Sequence, residues 1–105
     1  MSIAVQNEYQ FPAIFSVVGS GTTAGTATGA FSANTIQTQN ITVPGALVGD
    51  MCIVSISADD KNISVFAAVN SANTMTVVYA PENITATIGA HNIYWIVLRP
   101  QAGVL

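Results

Sequence analysis

At 105 residues, with one cysteine and a formal net charge of −3, the chain is long enough for one hydrophobic core and too short for two. Half of its residues are hydrophobic and only 7% are charged, against about one-quarter in an ordinary soluble domain. Its only cations are Lys61 and Arg99, so it lacks both the basic stripe that neutralises phosphates and the cluster that holds an anionic membrane surface, which excludes direct nucleic-acid binding and a polybasic membrane site.

With so few charges, the polar surface must be built from Ser, Thr, Asn and Gln, with apolar area left over. Large exposed apolar patches mark contacts with other chains. The composition therefore points to an oligomer or assembly subunit, the alternative being a monomer whose neutral polar surface suffices. No apolar run is long enough to span a bilayer. Residues Met1 to Glu8 have neither the basic region nor the long apolar stretch of a signal peptide.

Residues 1–12 read as an extended arm. Tyr9 and Phe11 flank Gln10, and Pro12 disfavours helix at Phe11. Residues 13–105 read as a single β-domain. Ala13 to Val18 is a strand, and residues 19–30, four glycines among Ser, Thr and Ala, read as a flexible loop. That loop does not read as a nucleotide cradle. It has no lysine for a P-loop, and its third glycine falls one position late for a dinucleotide fingerprint.

Between Thr35 and Val43, Ile36, Thr38 and Asn40 alternate with Gln37 and Gln39, and the phase shifts near Asn40-Ile41 as at a bulge. The stretch Ile41 to Ser57 organises the rest. Pro44 ends a strand, Gly45 and Gly49 allow sharp turns, and Met51 to Ile56 is apolar on both faces, so both faces need covering.

Residues 58–62 form the one charge cluster, read as a solvated hairpin tip. Ile63, Val65, Ala67 and Val69 then share one strand face, and Met75, Val77 and Tyr79 another. A short strand covers 84–88. The last strand, Asn92 to Leu98, is again apolar on both faces: Ile93, Trp95 and Val97 on one, Tyr94, Ile96 and Leu98 on the other. One face supplies the core, and the other must meet a second sheet or another subunit. Arg99-Pro100 is expected to stop it. Ser32-Ala33-Asn34-Thr35 and Ser71-Ala72-Asn73-Thr74 echo each other. Two related hairpins would do this, and so would turn composition alone.

Chemistry-bearing groups are sparse. Cys52 reads as a small buried hydrophobe rather than a reactive thiol. His91 stands in a turn without metal partners and reads as a satisfied surface or interface histidine; no catalytic, cofactor or metal residue is assigned. The acceptor patterns at Asn40, Asn62 and Asn83 are expected by chance in an Asn/Thr-rich chain. Tyr79, Tyr94 and Trp95 offer faces for sugar stacking, although core or interface use is the commoner fate of such aromatics.

The run from Val43-Pro44-Gly45-Ala46 through Gly49-Asp50, the segment Phe66-Ala67-Ala68-Val69-Asn70-Ser71-Ala72-Asn73-Thr74, Asn83-Ile84-Thr85 and the final Ile96 to Pro100 carry a resemblance. Over residues 43–100 this pattern resembles small β-domains in structural proteins of tailed bacteriophages, among them capsid decoration (cement) and fibre-type subunits. Residues 1–42 match no such pattern. The resemblance implies a non-enzymatic virion protein, often a trimer, assembled in the host cytoplasm onto the outer capsid surface, where it staples major capsid protein subunits. A tail-fibre or receptor-binding module recognising host-surface glycan is the alternative.

The expectation is an all-β antiparallel sandwich or barrel-like domain with an extended N-terminal arm. It carries no cofactor and contacts neither nucleic acid nor membrane. Its interface draws on Tyr9 and Phe11 of the arm and on Tyr94, Ile96 and Leu98 of the last strand.

Overall fold

The computed structural model describes residues 15–58, 62–82 and 86–100. Every regular element among them is a strand: β1 (Phe15–Ala24), β2 (Gly29–Phe31), β3 (Gln37–Thr42), β4 (Met51–Ile56), β5 (Ile63–Ser71), β6 (Thr74–Pro81), β7 (Ala86–Ile88) and β8 (Asn92–Pro100). Among these residues no helix is long and apolar enough to cross a membrane. The arm 1–12, with Tyr9 and Phe11, and the acidic tip at 59–61 lie outside the described residues.

The strands form three antiparallel sheets, ordered β1–β8–β4, β2–β7 and β3–β6–β5. The all-β antiparallel architecture read from the sequence is the one observed. The two three-stranded sheets share one core. Ile93 and Val97 come from the first sheet, with Cys52, Val54, Ile56 and Trp95 packed beside them. Ile41, Met75, Val77, Tyr79, Ile63 and Val69 come from the second. β6 shows the alternation most cleanly, its odd-numbered residues from Met75 to Pro81 buried and its even-numbered ones half-buried. Period-two patterning of this kind turns a strand into one wall of a core. The small β2–β7 sheet adds Phe31, Ala86 and Ile88, and Phe31 packs with its ring centroid 6.0 Å from that of Tyr79.

Three expectations are corrected. Residues 19–30 are not one long loop. Gly19 to Ala24 continue β1, Gly29 and Ala30 belong to β2, and only 25–28 run between them. The glycines mislead because their partner is remote. Gly21 sits opposite Trp95 in the ladder, and a methyl at Gly21 would stand 3.0 Å from the indole Cζ2. A methyl at Gly19 would stand 3.1 Å from Val43 Cγ1 and 3.6 Å from the indole. The indole fills the space that side chains on β1 would need, and its Nε1–H donates to Thr23 Oγ1 at 3.0 Å.

The second correction concerns β3, which keeps one register with β6 from Gln37 to Thr42. The register shifts fall elsewhere, between Val17 and Gly19 and between Val69 and Ser71. Gln37 and Gln39 share the inward phase with Ile41. Gln39 is tolerated there because its amide is satisfied: Oε1 accepts from Thr26 N at 2.8 Å and Nε2 donates to Ala24 O at 2.9 Å. A polar side chain with backbone partners mimics a phase change in the sequence. Third, Arg99 and Pro100 do not stop the last strand but pair with Ser16 and Phe15.

The turn before β4 is as expected. Gly45 and Gly49 take φ of 87° and 100°, and two turns close through Ala46 N–H to Val43 O at 3.0 Å and Asp50 N–H to Leu47 O at 3.0 Å. Asn73 fastens this turn to the β5–β6 hairpin. Its Oδ1 accepts from Gly45 N at 2.8 Å, its carbonyl from Val43 N at 2.9 Å, and its N–H donates to Ala46 O at 2.8 Å. Asn34 and Asn73 both adopt positive φ, at 61° and 65°. The repeated Ser-Ala-Asn-Thr is thus one turn chemistry used twice, since asparagine tolerates the left-handed region.

Candidate functional site

β8 is the middle strand of its sheet, so its two faces have different fates. Ile93 and Val97 are fully buried on the inner face, whereas Tyr94, Ile96 and Leu98 point outward. The ladder brings their neighbours into rows. Val17 and Met51 flank Leu98, Ser20 and Ile53 flank Ile96, and Thr22 and Ser55 flank Tyr94. Nine large hydrophobic side chains are exposed among the described residues, and five of them project from this face: Phe15, Val17, Met51, Ile53 and Tyr94. Leu47 and Val48, also exposed, sit in the turn that enters β4. Ile53 is 55% and Val17 60% exposed, so the cover that two apolar faces demand is missing on this side among the described residues. A shallow concavity between β4 and β8 is lined by Ile53, Val54, Ser55, Tyr94, Trp95 and Ile96.

Three of the five residues expected at an interface, Tyr94, Ile96 and Leu98, therefore lie together on this face. The other two, Tyr9 and Phe11, lie outside the described residues. Phe15, Val17, Met51 and Ile53 complete the patch and were missed. Alternation within Met51 to Ile56 was a usable signal for two of them, but nothing in the sequence says which phase of that strand turns outward.

At the end of this sheet an ion pair joins the β4 turn to β8. Arg99 Nε donates to Asp50 Oδ1 at 2.9 Å, and its Nη2 donates to Asp50 Oδ2 at 2.7 Å and to Gly45 O at 2.8 Å. Asp50 also accepts from Leu47 N–H at 2.9 Å. The Arg99 side chain is 37% exposed and that of Asp50 only 4%. The guanidinium beside it, then the Leu47 amide, hold the Asp50 carboxyl below its ordinary pKa, while the carboxylate raises that of Arg99. The pair is structural: it ties the β4 turn to the end of β8.

His91 corrects the expectation of a surface histidine, for it is only 7% exposed. Gly89 O can only accept, so Nδ1 carries the proton it donates at 2.9 Å. Nε2 is then free to accept from Tyr79 Oη at 2.7 Å. Burial pushes the Tyr79 phenol up. Gly25 makes room for the ring, since a methyl there would lie 2.1 Å from Nε2, and its N–H donates to His91 O at 2.9 Å. Both ring nitrogens are occupied, so this histidine holds the β2–β7 end of the core to β6.

Tyr79 is fully buried, and the Trp95 indole lies against β1, so of the three aromatics considered for sugar stacking only Tyr94 offers an exposed ring. Cys52 is half-buried on the inner face. Burial, and secondarily the Asp50 charge, push its thiol up, away from the reactive thiolate. Among the described residues no three His, Cys, Asp or Glu side chains converge as metal ligands would.

Comparison with protein-family models, with curated proteins and with solved structures returns no match.

Proposed function

We propose that this chain is a non-enzymatic structural subunit that acts by burying the outer face of β1–β8–β4 against another protein. In line with the phage domains it resembles, it is a decoration protein bound to the major capsid protein on the outer surface of a virion. The carrying observation is the uncharged patch of Phe15, Val17, Met51, Ile53 and Tyr94 in a chain with so few charges. Burial of such a patch is favourable with almost any apolar counterpart, and it asks for no charge match.

Magnitudes limit what one face does alone. A face three strands wide and as long as β8 covers roughly 400 Å² in projection. At about 25 cal/mol per Å² this gives about 10 kcal/mol, the same order as the cost of association. One face alone holds its partner weakly.

The test is the copy number of the chain in purified particles from its source, by quantitative mass spectrometry. Many copies in fixed ratio to the shell protein support decoration, and a handful moves the chain to the tail or fibre. Absence from particles refutes the virion reading. Replacing the exposed Ile53 by lysine should leave the circular dichroism spectrum unchanged and lower the copy number at least about tenfold, one missing buried aliphatic side chain being worth that much.

A further inference from the structure

Among the described residues β1 is an edge strand: it pairs with β8 on one side, and no described strand pairs with Gly19 to Thr23 on the other. Natural edges are blunted by lysine, proline, inward charge, bulges or shortness, because an open row of N–H and C=O groups recruits another strand. β1 has ten residues, Phe-Ser-Val-Val-Gly-Ser-Gly-Thr-Thr-Ala, without a charge or a proline. Its one blunting device is the register shift between Val17 and Gly19, beyond which the ladder to β8 runs regularly to Ala24. At the far end the Ala24 carbonyl is taken by Gln39 Nε2 at 2.9 Å. The open run is Gly19 to Thr23.

We propose that this run pairs with the same run of a second copy, antiparallel about a twofold axis near Gly21, joining the two sheets in the order β4–β8–β1–β1–β8–β4. Two observations select a second copy over an unrelated strand. First, a twofold pair sets the strand against itself, and an uncharged strand meets no like charge there. Centred on Gly21, Ser20 of one copy faces Thr22 of the other, a pairing of hydroxyl side chains that antiparallel ladders favour. Second, the joined sheet places the two apolar outer faces side by side. One face spans roughly 400 Å² in projection, short of the ~800 Å² that each partner gives to a standard interface. The doubled face reaches it. The proposal extends the outer-face reading but stands on the backbone edge, and it gives an even number of subunits where the phage resemblance implies a trimer.

The experiment combines light-scattering mass measurement with amide hydrogen exchange by NMR on the purified full chain. The expected mass is twice the 10.9 kDa of one chain. The amides of Gly19 to Thr23 that face away from β8 should exchange at least about tenfold more slowly in the concentrated than in the diluted protein. The double variant Ser20→Lys and Thr22→Lys changes two exposed side chains and sets lysine against lysine across the axis. It should remain folded by circular dichroism, have the mass of one chain, and lose the slow exchange. A wild-type chain that stays monomeric at its highest soluble concentration overturns the proposal. So does a trimer, or an oligomer of any size whose edge amides exchange as fast as in the diluted protein. Each of these leaves the particle copy number, and with it the outer-face reading, to be decided separately.

Discussion

Replacing Gly25 by alanine probes the His91 node directly. Gly25 is not among the glycines of positive φ, so it is glycine for lack of space. The added methyl would lie 2.1 Å from His91 Nε2 and 2.6 Å from Cδ2 and Cε1. Non-bonded heavy atoms rest near about 3.5 Å, so the ring must retreat by more than an ångström. It is held on both sides, by Tyr79 Oη at 2.7 Å and Gly89 O at 2.9 Å. A retreat of that size breaks at least one of these bonds in a buried site. Overpacking costs about 1–3 kcal/mol and a buried polar group left unpaired about 1–3 more. The lower entropy of the unfolded alanine chain offsets about 0.4–1.

The net loss is then about 1–5 kcal/mol, which at a urea sensitivity of about 1 kcal/mol per M for a chain this small lowers the midpoint by about 1 M or more. Fluorescence of the single tryptophan, Trp95, reports the transition. Gly89→Ala is the control: a methyl there meets nothing within 4 Å, and its midpoint should not fall. The double variant Gly25→Ala with His91→Ala should lose less than the sum of its parts, because the clash goes with the ring. A Gly25→Ala midpoint within error of wild type would refute the reasoning, as would strict additivity in the pair.

Two further substitutions address the polar fastenings. Tyr79→Phe removes the donor to His91 Nε2 without adding volume and should cost about 1–3 kcal/mol in urea unfolding; an unchanged midpoint would show that the hydrogen bond is not maintained in solution. Because the Asp50 carboxyl has its pKa lowered in the folded chain, it binds protons more readily when unfolded. Its contribution is whole above the ordinary carboxylate pKa of about 3.9 and is lost as pH falls through the lowered value. The urea midpoint should therefore decline on acidification, and Asp50→Asn should flatten that part of the profile; an identical acid profile in the variant would assign the decline to other groups.

How much of this was legible depended on where each residue's partner lies in the chain. β5 and β6 were readable because period-two alternation is local, and β4 as a short apolar run after a turn; Met75, Val77 and Tyr79 were placed inward from their own neighbours. Gly21 and Gly25 were not. What each makes room for, the Trp95 indole or the His91 ring, lies more than sixty residues away, and Gly19 makes room for Val43, also far along the chain. Gln39 hid the phase of β3, though not the strand, for the same reason, since what makes an inward glutamine acceptable is the Ala24 carbonyl at the end of β1 and the Thr26 amide of the loop that follows. The Asp50–Arg99 pair joins residues 49 apart, and composition alone showed only that both were rare. Of the candidate interface, the strand and the grouping of Tyr94, Ile96 and Leu98 were legible, but not that Val17, Met51 and Ile53 would complete it.

β8 shows why the outward face had to be seen rather than inferred. Sliding a strand by one residue exchanges its faces, and hydrophobic patterning normally forbids this by exposing apolar and burying polar side chains. In β8 that penalty nearly vanishes, because Tyr94, Ile96 and Leu98 are as apolar as Ile93, Trp95 and Val97. Register must come from shape and polar contacts. The glycines of β1 leave a slot for one indole, and Trp95 fits it only when Gly21 stands opposite. Thr23 takes the indole N–H at 3.0 Å, and Asp50 takes Arg99 at the other end of the strand. These fastenings lock the strand while leaving its outer side free of any packing duty within the described fold. A strand can therefore be apolar on both sides without losing its register, and this strand carries its second apolar face outward, where a partner can use it.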